Sequence, residues 1–414
     1  MSLYRKIDDW FLGYKTRSVR AKDSGIPIPK SKHRTNSRVP LKPGSGLANL
    51  TAAAKKHPEV MVKIPKRLSR NSNGMQGIRN HLDYISRNGK TTVENHSGEK
   101  LNGKKAVKSQ LDDWQKLNIP ERGKHREALN IVLSMPAGTP PQAILNAARN
   151  FASEQFADHQ YLFALHHESD KEGEPEHPHV HLCVLMRDTY GQRLNPRKND
   201  LFEWRVRFAE KLREEGVECA ATKRQHRGKI HKAEKSILRA MRSRGKVPDR
   251  YRRQAEELIE AVKNSERPIH PFLKETMHTR GLILEEYGQI ARELYRMGHK
   301  TEARIISRLS KEVASQPFET RAQEQYKAVR SRGITAGQLQ SNLHRQIEDS
   351  DRFLDLAGKL MENGYKAEAE TMRGLAMEAA NRPITGDMAA VRSSTQSGHL
   401  QQPAREQSDD DLTR

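Results

Sequence analysis

Two short stretches hold most of the chemistry that this sequence can offer. One runs Ala164-Leu-His166-His167-Glu168-Ser-Asp170, passes through a polar loop and resumes as His177-Pro-His179-Val-His181-Leu-Cys-Val184; five of the chain's 18 histidines fall in it. Alternate residues of a strand share a face, so His179 and His181 project together while Val180 points into the opposite layer. His166 ends the preceding apolar run, and its parity with Leu162 and Ala164 brings it beside that pair if the two runs form a hairpin. Three imidazoles with open positions for water or substrate make a catalytic metal site rather than a structural one. His167 replaces His166 if the register slips by one, and His177 joins if Pro178 bends the backbone. Glu168 and Asp170 are placed to ligate or to orient an imidazole through its other nitrogen, although a solvated loop carboxylate is the plainer role for Asp170.

The other stretch is Gly77-Ile-Arg-Asn-His-Leu-Asp-Tyr84-Ile-Ser-Arg87-Asn-Gly89. It predicts a short helix ended by Gly89, with Arg79 and Arg87 near Tyr84 and able to contact phosphates. A metal centre activates either a water or a protein nucleophile, and Tyr84 is the candidate for the second role. By local pattern alone it fits a core aromatic better.

These groups need a scaffold. From Val60 to about Gly228 short β-branched runs alternate with helical segments. Asn130–Ser134 reads as a strand, Met135–Pro141 as a turn, and Gln142–Phe156 as a helix with Ile144, Leu145, Ala148 and Phe151 on its apolar face. Tyr161–Leu165 and Val180–Met186 form an antiparallel hairpin with a longer connection, and a helix over Leu201–Glu215 closes the unit. Beyond Arg227 strand signals disappear. Ile290-Ala-x-x-Leu294-x-x-x-Gly298-x-Lys300-x-Glu302-Ala303 matches Leu356-Ala-x-x-Leu360-x-x-x-Gly364-x-Lys366-x-Glu368-Ala369, which reads as two related helical hairpins, each broken at its glycine. The expected organisation is a basic, flexible arm over residues 1–59, a main domain over 60–230, a helical region over 231–383 and a disordered tail over 384–414.

The formal net charge of +22 over 414 residues calls for a polyanionic partner, and nucleic acid is the first candidate. Lys63, Lys66, Arg67, Arg70, Arg205, Arg207, Lys223, Arg224 and Arg227 are the expected phosphate contacts, with affinity falling steeply as salt rises. With only 5% aromatic residues, base stacking is a minor part of that binding. Two cysteines, Cys183 and Cys219, make no disulfide framework and no Cys-x-x-Cys pair. No apolar run is long enough to span a bilayer or resembles a signal peptide, so a cytoplasmic protein without membrane insertion is expected.

Leu82-Asp-Tyr84-Ile-Ser-Arg87-Asn-Gly89, Val132-Leu-Ser134-Met-Pro136-Ala-Gly138 and Leu165-His166 through His177-Pro-His179-Val-His181-Leu-Cys-Val184 resemble, in order and spacing, the three motifs of plasmid mobilisation relaxases of the MobP class, with a nuclease domain of the MobA/VirD type. The likeness covers about residues 60–230. It implies an α+β fold: an antiparallel-sheet palm of the His-hydrophobe-His type with the tyrosine helix over its metal face, here followed by an all-α C-terminal region. It makes Tyr84 the nucleophile, His166, His179 and His181 the metal ligands, and Ser134 a helper near the bound strand. The family often has His-Thr-Asp where this chain has His166-His167-Glu168, and its loop before His177 is shorter. That leaves open which of His166 and His167 binds metal, and whether Glu168 takes the usual carboxylate's part.

The activity implied is that of a site- and strand-specific endonuclease and strand transferase, forming a 5′-phosphotyrosine at a plasmid transfer origin and piloting the strand in conjugation. Mg²⁺ or Mn²⁺ is the family's expected ion, while three imidazoles also favour Zn²⁺. Expected partners are single-stranded or supercoiled plasmid DNA, relaxosome accessory proteins and a type IV secretion coupling protein. Three rivals remain. A rolling-circle replication initiator shares this chemistry but usually has its histidine motif before the tyrosine; a metal-stabilised DNA-binding protein needs no nucleophile, and a water-using nuclease leaves no adduct.

Overall fold

The computed structural model describes residues 2–13, 41–65, 73–123, 125–167 and 177–385. They belong to two compact units, one drawn from Met1–Arg227 and Ile283–Ala314, the other from Gly228–Leu282 and Ser315–Asp409.

The first unit is built on an antiparallel sheet in the order β1-β4-β6-β5-β2-β3. Its strands are β1 (Met61–Lys63), β2 (Val93–Asn95), β3 (Lys100–Leu101), β4 (Ala128–Ser134), β5 (Tyr161–His166) and β6 (His179–Leu185). The expected hairpin forms, with Ala164 opposite His181 and His166 opposite His179. On its other side β6 pairs with β4, setting Ser134 opposite His179 and Val132 opposite His181. Alternation sorts these strands onto two faces. Val180, Leu182, Val184, Ile131 and Leu133 enter one core, whereas Leu162, Ala164, Cys183 and Leu185 enter another.

The helices of this unit are α1 (Leu3–Leu12), α2 (Ser45–Ala54), α3 (Gly74–Ile85), α4 (Gly103–Gln115), α5 (Pro141–Gln155) and α6 (Lys198–Glu214). On the first face lie α5 and α6, which contribute Ile144, Phe151, Trp204 and Phe208. Pro141 opens α5, where its missing N–H is no loss. The second face is covered by α3, through Met75, Ile78, Leu82 and Ile85, and by α4, through Val107, Leu111 and Trp114. Both sets follow the three- and four-residue spacing of an apolar helical stripe. Neither α4 nor the short β2–β3 hairpin was expected from the sequence.

Within the range expected as a flexible arm, α1 and α2 are folded. Ile7, Trp10, Phe11, Leu47 and Leu50 join the core of the first face, because the amphipathic α1 and the small, apolar α2 bury enough surface to offset their ordering. Residues 14–40 and most of the expected tail, from 386 on, lie outside the described residues.

Arg207 and Arg205 are not surface cations. Arg207 is fully buried, 2.5 Å from Glu154, and Arg205 is buried 3.1 Å from Glu59. The helix α6 that carries them is buried from Leu201 to Leu212, so the charges in that stretch are met inside the protein.

Beyond residue 227 the chain is helical: α7 (Ser236–Ser243), α8 (Asp249–Lys263), α9 (Leu273–Arg296), α10 (Lys300–Ser315), α11 (Arg321–Ser331), α12 (Ala336–Glu362) and α13 (Lys366–Asn381). The two related segments are the hairpins α9–α10 and α12–α13, turning at Gly298 (φ 85°) and Gly364 (φ 87°). From Ile283 onward the first hairpin belongs to the first unit, placing Tyr287, Leu294, Ile306 and Leu309 in its core. In the second unit Leu258, Val262, Tyr326, Val329 and Leu339 form a smaller core. Among the described residues no helix is long and apolar enough to cross a membrane.

Candidate active site

The second core stops short of one end of the sheet, and there β5 and β6 present histidines on the face that α3 covers. His166, His179 and His181 each offer a ring nitrogen, all within 4.8 Å of one another. Their ring centroids are 4.8 to 5.3 Å apart. Of the two residues the sequence left open, His166 faces the pair; His167, just past the strand end, is exposed.

Two of the rings are oriented by backbone carbonyls. His166 Nε2–H donates to the carbonyl of Ile85 at 2.7 Å, and His179 Nδ1–H donates to that of His177 at 3.0 Å. A carbonyl only accepts, so each neutral ring keeps its lone pair on the other nitrogen. His181 is different: it is buried, and neither ring nitrogen has a hydrogen-bond partner among the described residues. Burial, followed by the fields of His166, His179, His81 and Arg87, pushes its pKa down to about 2. A neutral, buried imidazole with unsatisfied nitrogens beside two lone-pair donors fits a divalent cation well.

Tyr84 lies over this group. It is 60% exposed, unlike the buried aromatic of the alternative reading, because the α3 stripe ends on Leu82 and Ile85 and turns Tyr84 away from the core. Its ring is nonetheless 5.3 Å from that of His181 and 6.1 Å from that of His166. The helix is stopped by a turn in which Arg87, Asn88 and Gly89 all take positive φ, at 48°, 56° and 84°. Gly89 is needed there, since a Cβ would lie 2.5 Å from the Lys104 amide nitrogen. Ser134, at the end of β4, is buried and directly opposite His179, hence on the histidine face.

Residues 84–217 match the relaxase family in its MobA/VirD2-like, nuclease-domain form. The chain carries a MobA/VirD2-like relaxase nuclease domain. The T-DNA border endonuclease VirD2 of Agrobacterium fabrum is 28% identical over 177 residues, which is 37% of this chain and 38% of that one. The protein of the same description from Rhizobium radiobacter is 28% identical over 180 residues, 37% of this chain and 40% of its own. The chain thus matches well under half the length of these curated relatives. No solved structure matches it.

The match to the relaxase domain opens at Tyr84 itself, and the domain's other candidate residues are dispersed. Arg87 follows the tyrosine helix, near enough to His181 to act on its charge. Arg79 turns to the loop after α4, pairing with Glu121 and donating to Gln115 Oε1 at 3.0 Å. Arg224 and Arg227 form a 3-10 turn, with Arg227 3.4 Å from Glu59. Glu168, Asp170, Lys66, Arg67 and Arg70 lie outside the described residues.

Sequence reasoning missed His81. It sits one turn before Tyr84 on α3, its ring centroid 6.5 Å from that of His181. The i,i+3 spacing of His81 and Tyr84 was the available signal.

Proposed function

We propose that this protein nicks one DNA strand at a plasmid transfer origin and holds the cut end on Tyr84. The observation that carries the reading is an exposed phenol laid against two of three clustered imidazoles, His166 and His181, at the first residue of the relaxase match. Tyr84 Oη attacks the scissile phosphorus, forming a phenolic O–P bond as the P–O3′ bond breaks. The phenol gives up its proton, and the leaving 3′ oxygen takes one up. A 5′-phosphotyrosine and a free 3′-hydroxyl result. One phosphodiester replaces another, so attack by a 3′-hydroxyl reverses the step and the same site rejoins ends after transfer.

His166, His179 and His181 would hold a divalent ion, Mg²⁺ or Mn²⁺ by family likeness and Zn²⁺ by ligand type. When bound, that ion supplies positive charge against the phosphate oxygens. The Ile85 and His177 carbonyls hold two of the imidazoles in their tautomers. Ser134, on the same face, lines the path of the strand, and Arg87 meets its phosphates. Arg79 and Arg227 contribute less to binding, since each already faces a carboxylate. Conjugative transfer further calls for accessory proteins that open the duplex and a type IV secretion coupling protein, all acting in the cytoplasm.

The test uses labelled single-stranded DNA from the transfer region with Mg²⁺ or Mn²⁺, analysed on denaturing gels for wild type and Tyr84→Phe. The expected result is a labelled protein band in the wild type alone, abolished by EDTA. Free cleaved DNA without an adduct would assign the chemistry to water. Binding without cleavage would leave a DNA-binding module, and an adduct persisting in the variant would move the nucleophile to another tyrosine.

A further inference from the structure

Between α9 and α10, within the first unit, runs a groove of about 740 Å³ whose sides carry Arg292, Arg296, Arg304, Arg308 and Lys311. All five are exposed. Arg296 pairs with Glu293 at 2.5 Å, while the other four make no ion pair among the described residues. The floor is made of small residues, Gly288, Ala291 and Ala303, and the guanidinium of Arg292 lies over Gly288, 3.5 Å from where a Cβ would stand. Tyr295, 58% exposed, lines the end near the Gly298 turn.

A charged helix face is ordinarily just a solvated one. The internal repeat argues otherwise here. Ala291, Leu294, Gly298, Lys300 and Ala303, which make the hairpin, recur in the second copy as Ala357, Leu360, Gly364, Lys366 and Ala369. Arg292, Arg296, Arg304, Arg308 and Lys311 do not recur: the same positions hold Gly358, Glu362, Glu370, Gly374 and Met377. The second hairpin forms without cations at these positions, so the shared hairpin scaffold does not call for them. Four uncompensated cations converging on one groove suit a row of phosphates, and an exposed tyrosine at its end suits an unpaired base.

We propose that this groove is a second nucleic-acid site, which takes the backbone of single-stranded DNA with a base stacked on Tyr295. The hairpin shares the core of the sheet face opposite α3, so the DNA held there is a different stretch from the one at Tyr84. The proposal rests on the proposed function only in naming DNA as the polyanion.

The experiment uses the full chain with Arg292, Arg304, Arg308 and Lys311 all changed to Gln. A control variant has Lys327, Arg330, Arg332 and Arg352 changed to Gln. Binding of a fluorescent single strand of about 40 nucleotides is followed from 50 to 200 mM salt. Losing four phosphate contacts lowers the slope of log affinity against log salt by about 3, so the wild type should lose about 50-fold more affinity over that range than the groove variant. Tyr295→Ala should weaken the single strand by about 5-fold or more and leave a duplex of equal length unaffected. Adduct formation on a short oligonucleotide spanning only the nick should stay at the wild-type level, which separates this site from the one at Tyr84. An unchanged slope, or an equal fall in the control, overturns the proposal, as does a Tyr295→Ala variant that binds the single strand normally.

Discussion

A single methyl group at Gly89 should destabilise the protein far more than the same methyl at Gly98. The two glycines have nearly the same backbone angle, φ 84° and 83°, so an L side chain is disfavoured at both by about 1 kcal/mol. Their surroundings differ. At Gly98 a Cβ meets nothing within 4 Å, whereas at Gly89 it meets the Lys104 nitrogen at 2.5 Å and the Gly103 carbonyl carbon at 2.9 Å. Both are backbone atoms at the start of α4, so no side chain can swing aside. Relieving that overlap adds about 2 kcal/mol, the usual scale for overpacking. With about 2–4 °C per kcal/mol for a unit of this size, Gly98→Ala should lower Tm by about 3 °C and Gly89→Ala by about 9 °C, read by circular dichroism. Gly89→Ala should also cut adduct formation, because the turn it disrupts fixes the end of the Tyr84 helix. Equal Tm values for the two variants would refute the steric argument.

His226 is buried against Phe11 and Trp10, and burial holds its pKa down to about 3. The unfolded chain therefore binds the extra proton first, and stability present above pH 6.5 is lost as pH falls toward 3, by about 1 kcal/mol per pH unit. Urea midpoints of His226→Phe should lack this part of the acid slope. Glu210 has the opposite sign: burial pushes its carboxyl up to about 7, so its contribution is full below about pH 4.5 and fades as pH rises through 7. Glu210→Gln, whose amide oxygen still accepts from Ser45, should be more stable than wild type at pH 8 by about 1–3 kcal/mol and no different at pH 4. Replacing His166, His179 or His181 by Ala should each weaken Mn²⁺ or Co²⁺ binding by more than about tenfold in calorimetry. His177→Ala should not, since its backbone carbonyl, rather than its ring, steadies His179.

The histidine face was legible because strand parity is a strong constraint: once Tyr161–His166 and His179–Leu185 pair, one register brings all three rings together. The Tyr84 helix was legible through its glycine stop. By contrast, Lys100–Leu101 is two residues long and carries no periodicity to read. Val107, Leu111 and Trp114 did carry a helical stripe and went unread among their charged neighbours. Arg205 and Arg207 show where charge counting fails. An arginine facing Glu59 and one facing Glu154 look in sequence like any basic stripe, and only the fold brings partners 146 and 53 residues away. The same holds for α1, whose apolar residues find a core formed by much later segments.

The bond from His166 to the Ile85 carbonyl would make the proposed ion site and the tyrosine helix reciprocal partners. Any free energy an ion gains from an imidazole already oriented by that carbonyl must be returned as protection of the helix end against fraying. Loading the site should therefore slow amide hydrogen exchange in the turn where Ser86 donates to Leu82 and Arg87 donates to Tyr84, with no new contact formed there. The helix terminus becomes a reporter of occupancy, readable without DNA and before any strand is cut.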